Sequence, residues 1–145
     1  MTVPARISMV TLGVADVEHS AAFYETLGWE RCESSVEGEV AWFRTADTYL
    51  AVFGRANLAR DVGAVIGAPR EGAYRDVALA INVETQADVA RVLDEAAAAG
   101  GTIVKPSSEA IFGRSGYFAD PDGHLWEVAW NPSFPLGPDG RITIP

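Results

Sequence analysis

The stretch that decides the fold lies between residues 117 and 130 and reads Tyr117-Phe118-Ala119-Asp120-Pro121-Asp122-Gly123-His124-Leu125-Trp126-Glu127-Val128-Ala129-Trp130. It predicts two strands joined by a tight turn. Pro121 fixes the φ angle that such a turn requires, and Gly123 can adopt the positive φ that closes it. In the second strand Glu127 stands among apolar residues, where a buried charge is costly unless it meets a metal, a proton or a ligand. Glu127 is therefore the best candidate for a residue kept for chemistry.

The order strand, helix and three strands occurs twice along the chain, which predicts an α+β fold of two β-α-β-β-β modules. In both copies a polar residue caps the helix, Asp16 in the first and Thr85 in the second. The predicted elements of the first copy are strand 7–14, helix 17–26 and strands 29–35, 40–45 and 49–55. Those of the second are strand 77–83, helix 86–99 and strands 102–105, 111–119 and 125–131.

The length of 145 residues fits a single domain in which the two modules are joined. Module 1 covers about 7–55, a linker 56–73, module 2 about 76–131, and a C-terminal tail 132–145. Residues 57–62 of the linker can form a helical turn. A linker of this length is either a surface connection or a lid over a site. The tail is rich in proline yet apolar, so we expect it to lie along the protein's own surface or that of a partner subunit.

The net charge of −9, from 11 basic and 20 acidic residues, argues against nucleic acid and anionic membranes as partners. No apolar run approaches the ~20 residues that span a bilayer. The first residues lack the apolar stretch of a signal peptide, so we expect a cytoplasmic protein. The single cysteine, Cys32, excludes an intramolecular disulfide, and with no base partner nearby it is interpreted as a structural thiol.

Three segments resemble the vicinal-oxygen-chelate superfamily, which contains glyoxalase I, extradiol dioxygenases and bleomycin resistance proteins. They are Leu12-Gly13-Val14-Ala15-Asp16, Ala22-Phe23-Tyr24-Glu25-Thr26-Leu27-Gly28-Trp29 and Phe118-Ala119-Asp120-Pro121-Asp122-Gly123-His124-Leu125-Trp126-Glu127. The resemblance implies that the strands of the paired modules curve into a cup, which holds a divalent metal in most of the enzymes and none in the binding proteins. It also implies a homodimer. It does not specify an activity, because the fold hosts many chemistries.

The resemblance places the four metal-ligand positions of the superfamily on Met9, Ala51, Asp76 and Glu127. The metalloenzymes typically have His or Gln, Glu, His and Glu there. A thioether is a poor ligand for hard divalent ions, and alanine has no donor atom. We therefore expect no tightly bound metal and no other cofactor.

The histidines lead to the same expectation. The chain has two, and a two-histidine iron site would need both to converge on one point. His19 lies on the first predicted helix and His124 in the turn after Gly123, so neither falls at a cup position. Both are interpreted as surface or turn residues.

Strand alternation predicts which side chains share the face of Glu127 in the cup. The predicted ligand-binding residues are Met9, Thr11, Trp42, Tyr49, Ala51, Phe53, Asp76, Tyr117 and Glu127. The resulting pocket is apolar and partly aromatic, with two acids. It suits a small organic molecule with an aromatic part or a cationic group.

Four possibilities remain open, the last being that the cup is vestigial and the protein works through assembly. The first is a non-enzymatic protein that binds a small molecule, as the resistance proteins do, and it follows from the missing metal ligands. The second is a metal-independent isomerase or lyase in which Glu127 is the general base and Asp76 assists it. The third, a metal-dependent lyase or dioxygenase, is the least favoured because the ligand set is incomplete.

Overall fold

The computed structural model describes residues 3, 5–63 and 75–145. The chain divides into two compact units, Met1–Gly67 and Ala68–Pro145. Each unit contains one mixed β-sheet with a helix packed on it. The predicted α+β class is therefore confirmed.

The first unit contains a three-stranded sheet in the order β1-β3-β2. Strand β1 runs parallel to β3, and β2 runs antiparallel to β3. The elements are β1 (Met9–Val14), α1 (Val17–Thr26), β2 (Val40–Arg44), β3 (Tyr49–Gly54) and α2 (Arg55–Val62).

Helix α1 packs on one face of this sheet and buries the core of the unit. Phe23 and Tyr24 of the helix are buried, and the Tyr24 ring lies 5.7 Å from the ring of Phe43 on β2. The helix begins as predicted, because the Asp16 side chain accepts a hydrogen bond of 2.9 Å from the amide of His19.

The predicted strand over 29–35 is wrong. This segment makes only an isolated bridge between Arg31 and Phe43. A turn interrupts it, in which the amide of Ser35 donates to the carbonyl of Cys32. The Ser35 hydroxyl then accepts from the amide of Trp42, so a side chain takes the place of a backbone partner. The sequence showed the extended composition of the segment but not this competition.

The second unit contains a four-stranded sheet in the order β4-β7-β6-β5. Strands β4 and β7 are parallel, and the other pairs are antiparallel. The elements are β4 (Ala78–Asn82), α3 (Gln86–Ala98), β5 (Thr102–Ala110), β6 (Gly113–Ala119) and β7 (Leu125–Trp130).

Helix α3 packs on β5, β6 and β7. It begins with a capping box in which Thr85 and Asp88 exchange hydrogen bonds between side chain and backbone, which confirms the predicted cap. The helix approaches β6 closely at Gly116. A Cβ atom there would lie 2.5 Å from Cδ1 of Leu93 and 2.9 Å from the carbonyl oxygen of Lys105.

Strand β5 is longer than predicted, because it continues past Lys105 and Pro106 to Ala110. Its pairing with β6 shifts register twice, between Ile103 and Lys105 and between Lys105 and Ser108. As an edge strand with bulges it tolerates a proline that lacks an amide donor. The predicted end of this strand at Lys105 is therefore wrong.

The linker and the tail are described in part. The predicted helical turn at 57–62 is confirmed as helix α2, whereas linker residues 64–73 lie outside the described residues. The tail contains a turn at Asp139-Gly140, in which the Gly140 amide donates to the carbonyl of Gly137. No helix within 3, 5–63 and 75–145 has the length and apolar character that crossing a bilayer requires.

Replacing Gly116 with alanine tests the close packing of α3 on β6. We expect Gly116→Ala to lower the free energy of unfolding by about 1–3 kcal/mol, because the added methyl overpacks the contact with Leu93 and the Lys105 carbonyl. Denaturant unfolding measures the change. The matched control is Gly54→Ala, whose methyl would meet only the Asn57 side chain at 3.5 Å. Equal stability of the two variants would contradict the packing argument.

Candidate functional site

The side of the first sheet opposite α1, here called the first open face, carries six of the predicted binding residues. Strand register aligns them in rows, since paired residues share a face. The rows across β2, β3 and β1 are Arg44–Tyr49–Met9, Trp42–Ala51–Thr11 and Val40–Phe53–Gly13. The register thus brings Met9, Thr11, Trp42, Tyr49, Ala51 and Phe53 to one side of the sheet, as alternation predicts.

The first open face is mostly apolar and partly accessible. Trp42, Tyr49 and Phe53 are half-buried, and Met9 is 43% exposed. The residues that alternate with them, such as Phe43 and Val52, are fully buried against α1. Aromatic and thioether surface that stays accessible beside a filled core is the kind of surface that binds small organic molecules.

Helix α2 covers one end of the first open face. A Cβ atom on Gly13 would lie 3.3 Å from both Cγ of Arg55 and Cδ2 of Leu58. Glycine at position 13 therefore lets the helix pack against this last row of the sheet. The face is closed at the Phe53 end, while Arg44 stands at the other end, where it is exposed.

The corresponding face of the second sheet, here called the second open face, carries Tyr117 and Glu127. These residues are direct partners in the β6–β7 register, and the Tyr117 hydroxyl donates a short hydrogen bond to Oε2 of Glu127. Ala80 of β4 is the partner of Glu127 on its other side. On the opposite side of this sheet the rings of Phe118 and Trp126 stack at 6.1 Å. The parity predicted for Glu127 agrees with this arrangement.

Asp76, the remaining predicted residue, is not part of a strand. It precedes β4, is exposed, and has a φ of 57°. The predicted strand began at Val77, whereas β4 begins at Ala78, so alternation does not define the direction of the Asp76 side chain. Its role as a catalytic or binding residue stays a prediction.

The turn at 120–123 is organised by a residue whose role the sequence reading missed. Asp120 is buried, and its Oδ1 accepts hydrogen bonds of 2.9 Å from the amides of Asp122 and His124. Gly123 has a φ of 83°, as the turn requires. Outside the turn, the Arg75 guanidinium contacts Nδ1 of His124 at 3.2 Å. The side chain of an aspartate in a turn often accepts a hydrogen bond from the amide two residues later. Asp120 at the start of Asp120-Pro121-Asp122 is therefore the sequence signal that could have predicted this pattern.

The residues that the resemblance places at metal-ligand positions do not fit a divalent metal centre. Met9 and Ala51 offer a thioether and a methyl group, and Glu127 already accepts the Tyr117 hydroxyl. In the part of the chain that the structure describes, no three His, Cys, Asp or Glu side chains are grouped to hold an ion. His19 is exposed on α1, as predicted.

A cavity of about 310 Å³ lies beside the end of β2, and the sequence reading did not predict it. It is lined by Arg44 and by the segment Glu30, Arg31, Cys32, Glu33 and Ser34. Arg31 is bound by both carboxylate oxygens of Glu18 at 2.8 and 2.9 Å, and the Gly38 amide donates to the same carboxylate. These hydrogen bonds lower the pKa of Glu18 to about 2 and attach the cavity segment to α1.

Comparison with known proteins gives a consistent result. Residues 6–128 match the family model described as Glyoxalase/Bleomycin resistance protein/Dioxygenase superfamily. A glyoxalase-related enzyme from Fulvimarina pelagi is 37% identical, with a TM-score of 0.85 over 97% of this chain and 99% of that one.

Two further crystal structures show the same fold at lower identity. A glyoxalase/bleomycin resistance protein/dioxygenase family enzyme from Burkholderia phytofirmans PsJN is 19% identical, with a TM-score of 0.76 over 88% of this chain and 99% of that one. A lactoylglutathione lyase from Agrobacterium tumefaciens is 23% identical, with a TM-score of 0.65 over 88% and 94%. No functionally curated protein matches the chain.

The ion pair between Glu18 of α1 and Arg31 of the cavity segment can be tested through the single cysteine, Cys32. We expect Glu18→Gln to speed the labelling of Cys32 by a neutral maleimide severalfold at pH 7, because the segment loses its ion pair with Arg31. Glu25→Gln removes the same charge from the same helix and serves as the control.

The Glu18–Arg31 ion pair has a defined pH dependence. The pKa of Glu18 in the folded protein is about 2, below its ordinary value of 4.5. The stabilisation that the Glu18–Arg31 ion pair gives to the folded state is therefore complete above pH 4.5 and is lost as pH falls toward 2. An NMR titration of the Glu18 carboxyl reads this pKa value.

In the labelling experiment, identical rates for Glu18→Gln and Glu25→Gln would show that the ion pair does not hold the cavity segment.

Proposed function

Because the chain belongs to the glyoxalase/bleomycin resistance protein/dioxygenase superfamily, we propose that it binds a small organic molecule on its first open face without a tightly held metal. One observation carries the proposal. At the two first-unit positions that the resemblance assigns to metal ligands, the chain has Met9, which is accessible beside Tyr49, and Ala51, which is buried beside the half-buried Trp42. Such a surface favours an aromatic ligand body over a hydrated ion.

The shape of the first open face supports a ligand of limited length. Alternate residues on a strand are about 6.6 Å apart, so the path from Tyr49 to Phe53 covers about 13 Å. Helix α2 closes the Phe53 end through the contact of Gly13 with Leu58. A fused pair of aromatic rings with a short substituent fits this length. The half-buried indole of Trp42 supplies a stacking surface in the middle row.

A second candidate function, a metal-independent isomerase or lyase, is favoured by the Tyr117–Glu127 hydrogen bond. The Tyr117 hydroxyl donates to Oε2, which fixes the carboxylate plane and leaves Oε1 as a proton acceptor. In an isomerisation Glu127 would take a proton from one carbon of the substrate and return it to another, so no oxidant is needed. Asp76 remains part of this candidate as a proposed assisting acid.

We further propose that the chain works as a single domain and as a homodimer in the cytoplasm. The tail supports a self-associating surface, since Leu136 and Ile142 pair with each other within it and Phe134 is only half-buried. The single cysteine is compatible with a cytoplasmic setting, because no intramolecular disulfide can form.

Binding on the first open face predicts a loss of affinity when its indole is removed. We expect Trp42→Ala to weaken the binding of the neutral bicyclic probe naphthalene-2-carboxamide about tenfold, since an aromatic contact contributes up to ~1.5 kcal/mol. Isothermal titration calorimetry measures the dissociation constant. Phe112→Ala truncates an exposed ring in the β5–β6 turn and should leave it unchanged. The proposal fails if both truncations have the same effect or if the wild-type protein binds no aromatic probe.

The candidate catalytic role predicts a different signature. If the chain is a lyase or isomerase, Glu127→Gln lowers kcat by about 10²–10⁴-fold while the thermal midpoint stays near that of the wild type. Steady-state kinetics on any compound found to turn over is the measurement. Glu109→Gln on the edge strand β5 makes the same change outside the second open face. An unaltered kcat in Glu127→Gln would rule out the general base.

A further inference from the structure

Arg44 ends the first row of the first open face and is held over an aromatic ring. Its guanidinium carbon lies 5.2 Å from the centroid of the Tyr49 ring, a cation–π contact between register partners. The next member of the row is Met9. The contact restricts the guanidinium to the side of the sheet that carries the proposed ligand surface.

The guanidinium of Arg44 makes no ion pair with the described residues. Among residues 3, 5–63 and 75–145, no carboxylate comes within 4.0 Å of it. Glu30 and Glu33 line the adjoining cavity without pairing with it, and the other cavity arginine, Arg31, is already bound by Glu18. The N–H donors of Arg44 therefore remain available beside the Tyr49 ring.

The two ends of the first open face differ in their chemistry. The end near Phe53 and Gly13 is apolar and covered by α2, whereas the end near Tyr49 adjoins the cavity and carries Arg44. An apolar body over Trp42 and Ala51 would place a substituent within one alternation, about 7 Å, of the Arg44 row. Planar guanidinium donors match the two oxygens of a carboxylate.

We propose that Arg44 is a specificity-determining residue that selects ligands with a carboxylate on an aromatic body. The inference rests on the proposed binding function and adds the charge and the orientation of the ligand. The carboxylate lies over the Tyr49 end of the first open face, beside the cavity, and the ring system lies over Trp42 toward the end that α2 covers.

Two probes of equal shape test this selection: naphthalene-2-carboxylate and naphthalene-2-carboxamide. Calorimetry gives both dissociation constants for the wild type, Arg44→Gln, Arg44→Lys and Arg60→Gln. Arg60 is an exposed residue of α2 whose guanidinium donates to Asn57, so Arg60→Gln removes the same charge outside the proposed subsite. Because Arg44 is exposed, its replacement leaves the core intact, and thermal unfolding verifies this.

The wild type should bind the carboxylate at least tenfold more tightly than the amide. Arg44→Gln should abolish the preference while the amide affinity stays within about twofold, and Arg44→Lys should keep part of it because the charge remains but the planar pair of donors is lost. Arg60→Gln should behave as the wild type. Equal binding of the two probes, or a preference that survives Arg44→Gln, overturns the inference alone. Absence of binding by both probes to the wild type overturns the proposed function as well.

Discussion

The packing of one helix on one face of each sheet is the constraint on which the other features of this protein depend. In the first unit α1 buries Phe43 and Val52, and in the second α3 approaches β6 so closely that position 116 has no room for a side chain beyond hydrogen. Because strand residues alternate, the helix that buries one set of side chains leaves the other set on the open face. The side chains that each sheet can offer to a ligand therefore belong to that second set.

Residues on an open face lie outside the contact between helix and sheet, so their type can change without loss of that contact. Met9 and Ala51 stand where the resemblance implies metal donors, yet the register around them is regular over the whole of β1 and β3. Conversely, Glu127 keeps its carboxylate in a strand of apolar neighbours because the Tyr117 hydroxyl satisfies one of its oxygens. The fold tolerates both situations, which is why fold membership does not determine the activity.

The sequence predicted features that depend on local chemistry or on alternation. The caps at Asp16 and Thr85 were predictable because they involve atoms within three residues, and the parity of Glu127 was predictable because it needs only the strand period. Features that depend on competition between possible hydrogen-bond partners could not be predicted from the sequence. The segment over 29–35 has the composition of a strand, but the hydroxyl of Ser35 takes the Trp42 amide and a turn ends the pairing.

The cavity beside β2 belongs to that second class, since it depends on how the 30–34 segment is tied to α1 by Glu18 and Arg31. No spacing rule joins residues 13 positions apart in a helix and a loop.

The two open faces differ in how far their charged groups are already satisfied, and this difference bears on what they recognise. The Glu127 carboxylate accepts the Tyr117 hydroxyl, so a new donor replaces or supplements an existing hydrogen bond. The Arg44 guanidinium meets the face of a ring, which attracts its charge but uses its N–H donors weakly. An anion presented to Arg44 therefore makes new hydrogen bonds, whereas a donor presented to Glu127 shares or displaces an existing one.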